Sequence, residues 1–176
     1  MSRIDSKRPA KLYRYAERAA LERALQLGEF RLCSVDDIRA AAQIMPFAKG
    51  KQSAAGANYL TLSFARAWDE RLFDQAPTAD CCLVINKVEE FGERIHRAAQ
   101  LALPNWAGID AAISYGSSSP LGAVFSKAAR HASQQEWLFA WRPMQAGASM
   151  NPVIIRIGNI EGLAELHEKS HAGPAG

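Results

Sequence analysis

Three polar residues on strand-like segments have the types and order to do chemistry together: Arg14 in K-L-Y-R-Y, Ser63 in Y-L-T-L-S-F and Glu136 in S-Q-Q-E-W-L-F-A-W. A planar guanidinium offers forked, charge-assisted hydrogen bonds to a phosphate or carboxylate, which a lysine does not fully reproduce. A carboxylate beside a centre that gains positive charge stabilises the transition state more than the ground state. Side chains two apart on a strand share a face, so Gln134 stands beside Glu136 if that segment is extended. Each residue also has a plainer structural role available. Arg14 would be a surface charge or an ion pair, Ser63 a hydroxyl bonded to nearby backbone, and Glu136 an exposed carboxylate at a strand start. The apolar run Trp137 to Trp141 places a buried sheet next to Glu136, a setting in which carboxylates acquire function.

Other constellations are weaker. His167 and His171 are four apart, a metal-ligand spacing on a helix, but they run into Gly173, Pro174 and Gly176 with no third ligand evident, which reads as a frayed terminus. Gly116-S-S-S-P-L-Gly122 lacks the Gly-Lys-Ser/Thr ending of a phosphate loop and reads as a turn. Cys81 and Cys82 sit in an apolar run, where a thiol is buried and inert. Tyr13, Tyr15, Phe64 and Trp68 have the rings to stack on a flat ligand, and equally to pack a core.

The elements that must position these residues follow from hydropathy period and breakers. Lys11 to Tyr15 is a first strand, and Ala16 to Leu27 a helix stopped by Gly28 in a left-handed cap. Glu29 to Ser34 alternates as a half-buried strand, with Asp36 and Asp37 opening a brief helix. Gln43 to Asn58 has no sustained period and reads as a long loop. Asn58 to Ala65 and Cys81 to Asn86 are core strands; Lys87 to Leu103 puts Val88, Phe91, Ile95 and Ala99 on one helical face before Pro104. Gly108 to Tyr115 is expected as a strand, Gly116 to Pro120 as a turn and Leu121 to Ser133 as a helix. Trp137 to Trp141 and Val153 to Ile157 close the series as strands joined by a hairpin or a long crossover. Strands and helices interspersed without a regular βαβ repeat predict an α+β fold.

The chain has 176 residues, 48% of them hydrophobic, which fits one domain with a sizeable core. The expected organisation is a flexible basic arm over 1–10, a single domain over 11–168 and a flexible tail over 169–176. A net charge of +3 without a run of like charges permits a nucleic-acid partner and does not demand one. Three cysteines, an odd number, make a poor disulfide framework, so a reducing cytosol is the simplest compartment. No stretch approaches a membrane span and no apolar signal core follows the first residues, although export by another route stays compatible.

The segments L-Y-R-Y-A-E-R, G-E-F-R-L-C-S, L-S-F-A-R-A-W-D-E-R-L-F, C-L-V-I-N, A-I-S-Y-G, F-S-K, Q-Q-E-W and V-I-I-R-I-G-N-I resemble, in order and spacing, an uncharacterised bacterial domain family. That family is similar in turn to the mono-ADP-ribosyltransferase fold of the arginine, serine and glutamate class. The resemblance implies a compact domain with a split, mixed or antiparallel β core and flanking helices. It implies NAD as substrate, with no metal. Arg14 would bind the dinucleotide, Thr61 and Ser63 would support the pocket, Glu136 would be the catalytic carboxylate, and Gln134 would help choose an acceptor. A macromolecular acceptor, protein or nucleic acid, is implied, as are the setting of a bacterial toxin, effector or defence factor and a cognate inhibitor. Water as acceptor would make the chain an NAD glycohydrolase. The expectation from another class is a non-catalytic module that binds protein or nucleic acid through Lys49, Lys51 and the arm residues Arg3, Lys7, Arg8 and Lys11.

Overall fold

The computed structural model describes residues 7–42 and 58–170, with 39–42 described by backbone alone. The expected loop over 43–57 with Lys49 and Lys51, the first six residues of the arm, and His171 lie outside the described residues. The architecture is mixed α and β around a largely antiparallel sheet.

Strand β1 (Leu12–Ala16) leads into helix α1 (Arg18–Leu27), which stops at Gly28 with φ 61° in the left-handed region. Strand β2 (Glu29–Ser34) then runs into α2 (Val35–Ala42), and the Ser34 hydroxyl accepts the Asp37 amide at 3.1 Å, capping that helix. Strand β3 (Leu60–Ala65), the short α3 (Leu72–Gln75), β4 (Cys81–Ile85) and α4 (Val88–Ala102) follow. Next come β5 (Trp106–Ala112), β6 (Ser114–Tyr115), β7 (Ser126–Lys127), β8 (Glu136–Pro143), β9 (Val153–Arg156) and β10 (Ala164–Glu168).

The main sheet forks at β3. All six residues of β3 pair with β8, which pairs onward with β5. Its opposite edge is shared: β1 meets it at Ala65, whereas β2 meets it at Leu60 and Thr61. Strands β4 and β10 continue outward from β1, and β9 continues from β2. Between the two contacts the β3 backbone would lack a partner, and an unpaired backbone acceptor is costly. There the Arg14 Nη1 donates to the Ser63 carbonyl at 2.9 Å.

The sheet has a core on each face. Phe91 of α4 packs edge-to-face on Phe30, Phe64 and Phe139 of the sheet, with ring centroids of Phe64 and Phe91 5.4 Å apart. A smaller cluster of Ala111, Ile113, Val124, Phe125, Leu138 and Ala140 fills the other face.

Several expectations need correction. Leu121 to Ser133 is not one helix: it is two 3₁₀ turns, Ala123–Phe125 and Ala129–Gln134, separated by β7. Gly122 sits at φ 99°, and Val124 and Phe125 are buried against Ile113 and Leu138, so burial overrides helical propensity. The strand expected from Gly108 to Tyr115 breaks at Ile113 into β5 and β6. The link from β8 to β9 is a crossover, since β9 pairs with β2. His167 lies on strand β10 rather than on a helix, and its ring nitrogen meets Glu165 at 2.9 Å. Arg8, read as part of a flexible arm, is anchored: its guanidinium forms two 2.8 Å bonds to Asp110. No described helix is long and apolar enough to cross a membrane.

Candidate active site

Glu136 opens β8, and its surroundings are built by three separate elements. On β3, directly across from β8, the Ser63 hydroxyl donates to Glu136 Oε1 at 3.0 Å. The parallel pair β6–β7 sets Tyr115 beside Lys127. From there the Tyr115 hydroxyl donates to Glu136 Oε2 at 3.0 Å and the Lys127 ammonium reaches the same oxygen at 2.6 Å. The Tyr115 oxygen also accepts the Glu136 backbone N–H at 2.9 Å. A carboxylate with donors on both oxygens has a single orientation and needs no reorganisation when charge develops beside it. Its side chain is 14% exposed, so it is accessible from one direction.

That direction opens on a cavity of about 230 Å³ lined by Thr61, Ser63, Ser126, Lys127 and Glu136 over an apolar floor of Ile113, Val124 and Leu138. Its volume falls below the roughly 300–1,000 Å³ of pockets that enclose a whole drug-sized ligand, so it suits one ring of a larger molecule. Thr61 is buried, and its hydroxyl donates to the Cys33 carbonyl at 3.2 Å, which ties β3 to β2 at the cavity wall. Burial, with a contribution from the Glu136 charge, pushes the Tyr115 phenol up. The phenol therefore stays a donor throughout the neutral range.

Arg14 does not line this cavity. It sits in the fork, stacked 5.8 Å from the Phe64 ring centroid, and reaches the site through the Ser63 backbone. Ser63 thus joins the other two, taking Arg14 on its carbonyl and giving its hydroxyl to Glu136. Burial lowers the Arg14 pKa, and among the described residues no carboxylate faces its guanidinium. A half-buried cation with spare donors and no carboxylate partner among the described residues has the chemistry to meet an anion.

No family model, no curated protein and no solved structure matches this chain.

Gln134 is not brought to the site. Gln135 adopts φ 41°, a left-handed conformation uncommon for a side-chain-bearing residue, so the segment is turned rather than extended. The Gln134 amide bonds to Gln75 at 3.2 Å instead. Tyr13, Tyr15 and Trp68 pack with Phe73, and the Cys82 thiol is pushed up to about 12 by burial, which leaves it unreactive. Among the described residues no group of three or more His, Cys, Asp or Glu is placed to hold a metal.

Sequence reasoning missed Tyr115 and Lys127. Both lie in segments that carry the family resemblance, A-I-S-Y-G and F-S-K. Nothing local marks either as facing a carboxylate, because a parallel β-bridge brings them together.

Proposed function

We propose that this chain is an ADP-ribosyltransferase-like enzyme that cleaves the nicotinamide–ribose bond of NAD and passes ADP-ribose to a macromolecular acceptor. The observation that carries this reading is the Glu136 carboxylate, held by Ser63, Tyr115 and Lys127 at the wall of a ring-sized cavity.

In this reading the ribose enters the cavity. As the C–N bond breaks, its electron pair leaves with neutral nicotinamide and the sugar carbon becomes cationic. The Glu136 carboxylate stabilises that cation, and the acceptor nucleophile attacks it and loses its proton. NAD carries a positive pyridinium and a doubly negative pyrophosphate. The Lys127–Glu136 ion pair is the complementary arrangement: the lysine turns to a phosphate, while the carboxylate, held in place by Ser63 and Tyr115, faces the ribosyl centre. The remainder of the dinucleotide runs out of the small cavity, and Arg14 in the fork, a cation with no carboxylate partner among the described residues, would meet it.

Nicotinamide release from NAD by the purified protein, with cell lysate as acceptor source, tests the reading. Release with label transferred to lysate macromolecules is the expected result, and release without transfer would make water the acceptor. Absence of both release and calorimetric NAD binding would overturn it.

Arg14→Met supplies a second check. Removing a half-buried cation offsets most of the loss of one carbonyl bond, so stability should move by about 1 kcal/mol or less. NAD affinity should fall about tenfold or more, the value of a charged hydrogen bond. A large fall in the urea midpoint with unchanged affinity would make Arg14 a strut of the fork alone.

One observation favours a second reading, a non-catalytic binding module: the Lys127–Glu136 pair leaves the carboxylate satisfied without any ligand. Salt-sensitive nucleic-acid binding unchanged by Glu136→Gln, together with no NAD binding, would select it.

A further inference from the structure

An open groove of about 710 Å³ lies away from Glu136, between helix α4 and strand β9. Three arginines, Arg94, Arg97 and Arg156, line it, and among the described residues no acidic one does. Residues 154–156 of β9 and Ile157 just beyond its end, four in succession, form its strand side. Successive strand residues face opposite ways, so a groove touching all four follows the edge of the strand rather than one face. Strand β9 pairs with β2 on one side and ends the sheet, so among the described residues its outer edge has no strand partner. Such an edge is a template for an added strand.

We infer that this groove binds an extended acidic peptide segment of a partner protein, which adds as a strand to the outer edge of β9. Charge selects the occupant. Arg94 is engaged by Glu90 and Arg156 by Glu29, whereas Arg97 has no partner among the described residues. A second copy of the chain docked edge to edge would set these arginines against their own kind, a repulsive pairing. Residues 1–6, 43–57 and 171–176 contain one acid between them, Asp5, so they do not supply the segment. Leu101 and Ile154, 81% and 55% exposed, give the groove aliphatic walls that suit alternate apolar side chains of a peptide better than a phosphate backbone.

The probe is a short capped peptide alternating glutamate with valine, labelled for fluorescence anisotropy. Its comparators are the same peptide with lysine for glutamate, versions N-methylated along one or the other edge, and an oligothymidylate strand. Binding should occur with the acidic peptide alone, weaken as salt screens it, and fail for one of the N-methylated versions. Backbone amides of β9 should gain protection from hydrogen exchange. Arg97→Glu and Leu101→Asp, both on exposed side chains, should each reduce affinity about tenfold or more. Failure of the acidic peptide to bind folded protein would overturn the inference. So would undiminished binding to Arg97→Glu, or binding of oligothymidylate in its place. The readout is binding alone, so it stands or falls separately from NAD turnover.

Discussion

Glu136→Gln is expected to lower nicotinamide release from NAD about a thousandfold while leaving the circular dichroism spectrum unchanged. The substitution keeps size and shape; its one oxygen can stay on the Tyr115 side, and the Ser63 hydroxyl, which both donates and accepts, can turn to accept from the new NH2. What disappears is the negative charge that would face a ribosyl cation, and the loss therefore falls on kcat more than on KM. Removing the carboxylate also strips Lys127 of its counter-ion, which could disturb the site by itself. Lys127→Met separates the two effects: it leaves the carboxylate in place and, if lysine meets the phosphates, raises KM with a smaller change in kcat. Full turnover by Glu136→Gln would place the chemistry, if any, elsewhere in the molecule.

The second large effect concerns stability. The Asp110 side chain on β5 is 8% exposed and is met by three side chains distant in sequence. Arg8 binds it with two 2.8 Å bonds, the His96 ring nitrogen lies 2.6 Å away, and the fully buried Trp137 indole donates at 2.9 Å. Gly92 completes the seat, since a Cβ there would come within 2.6 Å of the Arg8 guanidinium carbon. Asp110→Ala leaves Arg8 with only the exposed Glu89 as partner, strands the Trp137 N–H, and is expected to cost about 3 kcal/mol. For a chain of this size that is a fall in Tm of about 6–12 °C. An unchanged Tm would make the cluster incidental.

The same carboxylate sets an acid limit. Burial alone would raise the Asp110 pKa, but the hydrogen bonds from Arg8, His96 and Trp137 outweigh it and hold the group well below the usual carboxylate range. A group whose folded pKa is depressed contributes stability above its unfolded value, and loses it as pH falls toward the folded one. The stability gap between wild type and Asp110→Asn should therefore be full at neutral pH and narrow below about pH 4. Urea denaturation across that range reads it directly.

Elements whose own residues carry the pattern were legible. Gly28 ends α1 as its composition requires, and the α4 stripe of Val88, Phe91, Ile95 and Ala99 is buried as its 3.6-residue period demands. The alternation of β2 and the apolar run of β4 placed those strands within a residue or so. The α+β class follows from the same local signals, because period and breakers are properties of neighbours in the chain. Of the candidate site, Arg14, Ser63 and Glu136 were legible as types on strands, and the structure links them through Ser63.

What tertiary structure alone decided is the rest of the site. The segment Leu121 to Ser133 has the residues of a helix, yet burying Val124 and Phe125 against Ile113 and Leu138 unwinds it and draws Ser126 and Lys127 into a bridge with Ser114 and Tyr115. That exchange of a local preference for a non-local core delivers the lysine and the tyrosine to Glu136. The left-handed turn at Gln135 removes Gln134 from the same site. The fork at β3, which leaves Arg14 a carbonyl to cap, depends on two strands of distant sequence sharing one edge. Residue types and periods are written in neighbours; which donor faces which carboxylate depends on contacts across many residues, whose energy no local window contains.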